Sequence, residues 1–332
     1  MNLPQTMTLI EITEPGGTEV LKPRQEPVPT AGAGEVLIRV HAAGVNRPDV
    51  IQRAGKYPMK PGMSPIPGLE VAGEVVAIGA GVNEFIVGDN VCALTNGGGY
   101  AQYCVAPASQ TLPMPEGMDW VHAAAVPETF FTVWANLFDM GGASKGQRAL
   151  IHGGTSGIGT TALMLCREFG IKAFATAGSE EKCAAIRSLG AEAINYRDQD
   201  FVQVIQERTA GKGVNIILDI MGGSYLNQNI AALGMDGRLV MLGFLGGAHA
   251  KDVDLLAILG KRATITGSLM RARTREEKAS IAEQLHEYVW PVLAAGRCLP
   301  MIDKVYSLTD ASLAHARMEA GDHIGKIVLR VD

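Results

Sequence analysis

Residues 149–159 read Ala149-Leu150-Ile151-His152-Gly153-Gly154-Thr155-Ser156-Gly157-Ile158-Gly159. A short apolar run leads into a glycine-rich turn, and a helical pattern follows over 157–169. This is the opening of a dinucleotide-binding βαβ unit. Glycines let the backbone approach a pyrophosphate, and the amides of the helix N-terminus face the anion. The fingerprint GxGxxG is met only in part. With Gly154 as its first glycine, Ser156 stands at the second position. Gly157 still permits close approach, and Gly159 permits tight helix–strand packing. Gly154, Thr155, Ser156, Gly157 and Ile158 are therefore the candidate phosphate-loop contacts.

Downstream, apolar strand-like runs alternate with helical patterns. Strands are expected at 149–153, 172–177, 193–196, 215–220, 238–243 and 263–269. Near-continuously apolar strands alternating with helices predict a parallel sheet covered on both faces. A single long helix is expected over 274–296, ended by Pro291 and Gly296, and GKIVLRV at 325–331 reads as a strand returning to the first unit. The first ~125 residues differ in texture. Short β-branched runs bounded by Gly and Pro, at 34–45, 71–82 and 88–94, predict an all-β or barrel-like unit. The expected division is 1–128, 129–272 and a C-terminal return at 273–332.

The end of the second strand reports on the nucleotide. NAD sites place an acid there to hold the ribose 2′-OH. Here the stretch is Thr176-Ala177-Gly178-Ser179-Glu180-Glu181-Lys182, with no acid at Ala177 or Gly178. Ser179 and Lys182 suit a 2′-phosphate, one by hydrogen bond and one as a point charge. Tyr196, closing the third strand, is placed to flank the adenosine. These features favour NADPH.

Composition narrows the function classes. The chain has 332 residues, 47% hydrophobic and 19% charged, with a net charge of −5 and no long basic run. It can bury a sizeable core and lacks a nucleic-acid footprint. The N-terminus shows no secretory pattern, and the uncharged stretch 149–166 reads as the glycine turn rather than a membrane span. Five scattered cysteines without CxxC pairs predict a reduced, cytoplasmic protein without a structural zinc. No tyrosine is followed four residues later by lysine, which excludes the short-chain dehydrogenase arrangement. His286-Glu287-Tyr288-Val289-Trp290 fails HExxH at its last position, and the seven dispersed histidines read as structural.

Ten motifs follow in order along nearly the whole chain. They are GVNRPDVIQRAGKYP (44–58), PGLEVAGEVVAIGAGV (67–82), GDNVCAL (88–94), GGGYAQYCVAP (97–107) and AAAVPETFFTVWANLF (123–138), then IHGGTSGIGTTA (151–162), GAEAINYRDQDF (190–201), NIILDIMGGSY (215–225), GRLVMLGFLGG (237–247) and IGKIVL (324–329). On these the chain resembles the zinc-independent quinone oxidoreductase (zeta-crystallin-like) branch of the medium-chain dehydrogenases/reductases. It is most similar to the tumour-suppressor-induced NADPH quinone oxidoreductase group.

The resemblance implies an α/β fold in which a GroES-like β-barrel catalytic domain carries an inserted Rossmann domain, with the cofactor in the cleft between them. It also implies a homodimer, built through strand edges near 263–269. Zinc-dependent relatives have Cys where this chain has Asn46, and His where it has Leu69 in Gly68-Leu69-Glu70. An amide and a leucine cannot replace a thiolate and an imidazole. Without a Lewis acid, alcohol oxidation is disfavoured, whereas an electron-poor quinone or enone accepts hydride unaided.

By the same resemblance, Asn46 lies beside the nicotinamide, and Tyr57 orients a carbonyl or donates a proton. Gly243, Phe244 and Leu245 line the nicotinamide side, Ser268 and Leu269 fall near the dimer and cofactor edge, and Lys326 reaches the cofactor from the returning segment. Asp49 reads as a structural partner in its turn, and Phe130, Phe131 and Trp134 as core. The expected activity is NADPH-dependent quinone reduction. The rivals are an enoyl or alkenal reductase using the same site, an NADPH-binding structural or regulatory protein of little turnover, and a zinc alcohol dehydrogenase.

Overall fold

The computed structural model describes residues 3–60 and 63–331. The chain forms two compact units, one of residues 1–131 with 273–332 and the other Thr132–Ala272.

In the first unit, strands β1 (Thr6–Ile12) and β2 (Leu21–Pro27) pair as an antiparallel ribbon. Five more strands follow: β3 (Glu35–Val45), β4 (Glu70–Ile78), β5 (Asn90–Leu94), β6 (Tyr103–Pro107) and β7 (Thr111–Pro113). The second unit holds β8 (Arg148–Ile151), β9 (Lys172–Ala177), β10 (Glu192–Asn195), β11 (Val214–Asp219), β12 (Leu233–Met241) and β13 (Thr264–Gly267). The chain then returns to the first unit as β14 (Ile302–Ser307) and β15 (Lys326–Arg330).

The first unit's main sheet runs β14-β15-β3-β4-β5-β7, with β6 also on β3. β3 organises it. Its 11 residues pair with β4, β6 and β15, and they alternate around a core of Val36, Ile38, Val40, Val71, Val91 and Ile327. The antiparallel register of β15 on β3 sets Ile327 opposite Val45. That register brings Lys326 to the C-terminal end of β3, where Asn46 begins.

The second unit is a six-stranded parallel sheet in the order β10-β9-β8-β11-β12-β13. The chain reverses direction between β8 and β11. A ligand crevice belongs at such a switch point, outside the carboxyl ends of the strands. Leu150, Phe174, Ile217 and Leu239 are fully buried, as strands covered on both faces require.

The expected long helix over 274–296 is two helices, Arg275–Tyr288 and Trp290–Ala294, broken at Val289. Pro291 sits in the first turn of the second helix instead of ending the first. A missing N–H there loses no intrahelical bond. Thr274 starts the first helix with a capping box. Its backbone N–H donates to Glu277 Oε2 at 2.7 Å, and its hydroxyl accepts the Glu277 N–H at 3.2 Å.

Candidate functional site

In the first unit, β3 ends at Val45 and Asn46 stays extended (φ −132°, ψ 154°) before the helix Arg47–Arg53. Asp49, in that helix's first turn, is fully buried. It accepts hydrogen bonds from the Asn46 N–H (2.8 Å), the Gly68 N–H (3.0 Å) and the Tyr100 hydroxyl (3.3 Å). It thereby ties the Asn46 turn to the residue just before Leu69 and Glu70.

The Asn46 side chain is held at both ends. Its Nδ2 donates to Glu70 Oε1 at 2.8 Å, and its Oδ1 accepts from Lys326 Nζ at 2.6 Å. Lys326 also donates to Glu70 Oε1 (2.6 Å) and to the Val45 carbonyl (3.0 Å). An ammonium at one end and a carboxylate at the other allow only one amide orientation. Glu70 is fully buried and Lys326 is 3% exposed, so the ion pair is desolvated. The second oxygen of Glu70 accepts the Glu128 backbone N–H at 2.8 Å. Gly44 makes room for this carboxylate, since a Cβ there would stand 2.0 Å from Glu70 Oε1.

The Lys326 ammonium has three protons and donates to three acceptors within the unit, the Val45 carbonyl, Asn46 Oδ1 and Glu70 Oε1. Its place is behind Asn46, orienting the amide. Tyr57 lies half-buried in the loop after the Arg47–Arg53 helix. An open cavity of about 530 Å³ in this unit, between β1, β2 and residues 64–66, includes none of Asn46, Glu70, Glu128 or Lys326.

In the second unit, the turn after β8 is shaped by Gly153 at φ +69°, a left-handed conformation that favours glycine. Ser156 caps the helix Gly157–Glu168. Its Oγ accepts the Gly159 N–H (3.0 Å) and donates to the Gly153 carbonyl (2.8 Å). The hydroxyl is thus committed to shaping the loop. The Gly157 and Ile158 amides precede any intrahelical acceptor, which leaves them to a phosphate. A Cβ on Gly159 would stand 2.3 Å from the Gly153 carbonyl oxygen, so the turn closes only on glycine. Thr155 is buried within the same turn.

The remaining candidates of this unit follow the carboxyl ends of its strands. Gly178 and Ser179 follow β9. Ser179 caps the next helix by accepting the Lys182 N–H at 3.3 Å, and Lys182 is half-buried. Tyr196, beyond β10, hydrogen-bonds back to the Ala177 carbonyl and is 46% exposed. Its hydroxyl lies where a Cβ on Gly178 would be 2.4 Å away. Glu180 is paired with Arg187, which offsets one of the two acids beside Lys182. Gly243, Phe244 and Leu245 follow β12, with Phe244 and Leu245 exposed. Past β13, Ser268 donates to Asn136 Oδ1 at 2.8 Å, and Leu269 is exposed.

Several residues were not singled out from sequence. Gly153 is the turn glycine. Thr132 carries a hydroxyl that is buried and has no hydrogen-bond partner among the described residues. Glu70 and Glu128 lie inside quoted motifs, GLE and VPETF, but their link is a backbone-to-side-chain bond across 58 residues.

Electrostatically, burial and then the neighbouring Glu70 push the Glu128 carboxyl up to about 8. His152, next to the phosphate loop, contacts Thr176 Oγ1 and Asn229 Oδ1, and burial brings it down to about 4. It is a neutral packing residue. All five cysteines are buried. Burial raises Cys104 and Cys166 to about 12, so neither is a thiolate nucleophile at neutral pH.

The two groups implied by this fold fit unequally. A dinucleotide fits the second unit, with its glycine cradle and first-turn amides. Zinc does not fit the Asn46 position. The amide is consumed by Lys326 and Glu70, Leu69 is an apolar side chain 1% exposed, and no group of three or more His, Cys, Asp or Glu able to hold a metal occurs among the described residues. No described helix is long and apolar enough to cross a membrane.

Comparison with known proteins agrees with this architecture. Residues 32–116 match the alcohol dehydrogenase GroES-like domain, and residues 157–286 match the family described as zinc-binding dehydrogenase. The rat (Rattus norvegicus) quinone oxidoreductase is 32% identical over 327 residues, 97% of each chain. A mycobacterial protein solved in complex with NADPH is 30% identical, with a TM-score of 0.86 over 98% of this chain and 100% of that one. A solved NAD-dependent alcohol dehydrogenase has a TM-score of 0.87 at 28% identity, over 98% of this chain and 100% of that one. A GroES-like unit, a parallel six-stranded sheet with a glycine turn at its switch point, and full-length relatives lead to one conclusion: the chain belongs to the medium-chain dehydrogenase/reductase superfamily and is an NAD(P)-dependent oxidoreductase.

Proposed function

We propose that this protein reduces quinones with NADPH and without zinc. The observation that carries the reading is the Asn46–Glu70–Lys326 cluster. Where zinc-dependent relatives hold a metal, this chain has an amide locked by an ammonium and a carboxylate. Such a site can hydrogen-bond but offers no Lewis acid. That suits an acceptor already electron-poor enough to take hydride.

Bound NADPH supplies the hydride. The amides of Gly157 and Ile158 hold its pyrophosphate in the turn built by Gly154, Thr155 and Ser156. Ser179 keeps its hydroxyl proton for a 2′-phosphate while its oxygen caps the helix, and Lys182 adds the positive charge. Tyr196 flanks the adenosine beside Gly178. Gly243, Phe244, Leu245, Ser268 and Leu269 border the nicotinamide side of that unit. Asn46, pinned by Lys326, orients the carboxamide or the acceptor oxygen, and Tyr57 orients the acceptor carbonyl. The rate gain comes mainly from alignment of two flat rings.

A homodimer completes the reading. β13 is an edge strand, and Leu255, Leu256 and Leu259 of the neighbouring helix Leu255–Lys261 are 67–76% exposed. An open strand edge beside an apolar helix face suits a second copy of the chain.

The test is NADPH oxidation by metal-free protein across ortho- and para-quinones. Turnover of several quinones is expected. Bound NADPH with no quinone reduced would contradict the reading. A conjugated enal reduced much faster than any quinone, and lost in Tyr57→Phe, would replace it with an alkenal reductase.

A further inference from the structure

Asp49 and Glu70 both hydrogen-bond Asn46, Glu128 is tied to Glu70 through its backbone N–H, and hydrogen bonds are unequally shared among these three carboxyls. Asp49 accepts three, from the Asn46 N–H, the Gly68 N–H and the Tyr100 hydroxyl. Glu70 also accepts three, from the Asn46 amide, the Lys326 ammonium and the Glu128 backbone N–H. Glu128 gives its N–H to Glu70, but its own carboxyl accepts no hydrogen bond from any described group, although the residue is only 8% exposed.

The charged groups facing Glu128 come from four elements: Glu70 in β4, Lys326 in β15, Asp49 in the helix Arg47–Arg53 and Lys278 in the helix Arg275–Tyr288. Both ammonium groups are already engaged. Lys326 has spent its three protons, and Lys278 donates to Asn96 Oδ1 at 2.8 Å. A buried carboxylate that accepts no hydrogen bond is the least favourable charge in this set. If one of the three carboxyls keeps a proton, it is therefore Glu128. The upward push on this group, from burial first and Glu70 second, outweighs the opposing pull of Lys326 and Lys278.

Building on the quinone reading, we infer that Glu128 is the resident acid of the site, a neutral carboxylic acid that protonates the acceptor after hydride transfer. The acceptor gains two electrons and one proton as hydride and is left as an oxyanion. The Glu128 O–H bond then breaks as an O–H bond forms on the acceptor, directly or through one water. The resulting carboxylate regains a proton from bulk water. In sum, NADPH, one proton and quinone give NADP⁺ and the hydroquinone. The carboxyl belongs to the residue whose N–H holds Glu70, and Glu70 in turn holds Asn46, so acid and orienting amide share one scaffold.

The test combines infrared titration of the carboxyl in D₂O with pH profiles, in wild type, Glu128→Gln and Glu128→Asp. In wild type, a protonated-carboxyl band that disappears with a midpoint of about pH 8 is expected, absent in Glu128→Gln and displaced in Glu128→Asp. With quinone as acceptor, wild-type kcat/KM should fall about tenfold per pH unit above that midpoint. Glu128→Gln should lose the break and about 10²-fold in kcat/KM at neutral pH, the lower end for a general acid.

Absence of the band, or a Glu128→Gln profile matching wild type, overturns the inference while the quinone reading stands. If an enal is reduced and quinones are not, the quinone reading fails, and the same comparison with the enal still decides the role of Glu128. If Glu128→Gln does not fold, the band and profile of Glu128→Asp decide instead.

Discussion

At the scale of single residues, the site depends on Lys326. It neutralises Glu70 and aims the Asn46 amide, and both charges are shut away from water. Removing one partner of such a pair leaves the other buried and uncompensated, which destabilises by about 3–5 kcal/mol. Lys326→Met is expected to lower stability by that amount in urea unfolding, whereas Arg24→Met, in an exposed ion pair, changes little. Protonation adds a signed expectation. His152 and His315 are held down to about 4 and about 3, both by burial first, with Arg53 also lowering His315. As pH falls below the ordinary histidine value of about 6.5, the unfolded chain binds protons that the folded protein refuses, so stability falls with pH in that window. Glu128 acts in the opposite sense. Between its ordinary value and about 8, the folded protein holds a proton that the unfolded chain has released, so stability falls as pH rises through that window. Urea midpoints should drop from pH 7 to pH 5, and the decline from pH 6.5 to pH 8 should vanish in Glu128→Gln. A decline unchanged in that variant would show that Glu128 does not hold the proton.

At the scale of elements, the turn between β8 and its helix combines two demands. The backbone must close on itself, and the first-turn amides must stay open to a phosphate. Gly159→Val places a side chain against the Gly153 carbonyl oxygen, 2.3 Å from the Cβ position. It should abolish NADPH binding in a fluorescence titration and lower the melting temperature. Lys182→Ala should raise KM for NADPH about tenfold, since one charge-assisted contact contributes about 1.5 kcal/mol, and leave KM for NADH unchanged. Equal losses for both coenzymes would contradict the 2′-phosphate assignment. How far such features could be read from sequence depends on how local their causes are. The phosphate turn is legible because strand, glycines and helix are contiguous. The partners of Asn46 are not, because 24 and 280 residues separate it from Glu70 and Lys326. The pairing of β4 and of β15 with β3 brings them together, and neither pairing is local in sequence. Glu128 escaped notice because its backbone, not its side chain, makes the connecting bond. The break at Val289 was hidden because a proline ends one helix or begins another with equal ease.

At the scale of the whole molecule, the parallel sheet and the returning strand at 325–331 are legible as apolar runs, whereas β14, a half-exposed strand, is not. Assembly is not legible either, because an exposed leucine and a buried one look alike in sequence. Leu256→Lys combined with Leu259→Lys should convert a dimer to a monomer in sedimentation experiments. A monomeric wild-type protein would remove the assembly proposal. The central claim is that hydride passes from NADPH to a quinone at a site held by Asn46, Glu70 and Lys326 and without zinc. Its most direct test is the rate of NADPH oxidation by a para-quinone before and after exhaustive chelation, with bound zinc quantified in the same samples. The account predicts an unchanged rate, no stoichiometric zinc and one hydroquinone formed per NADPH consumed. A rate abolished by chelation and restored by added Zn²⁺ would contradict it.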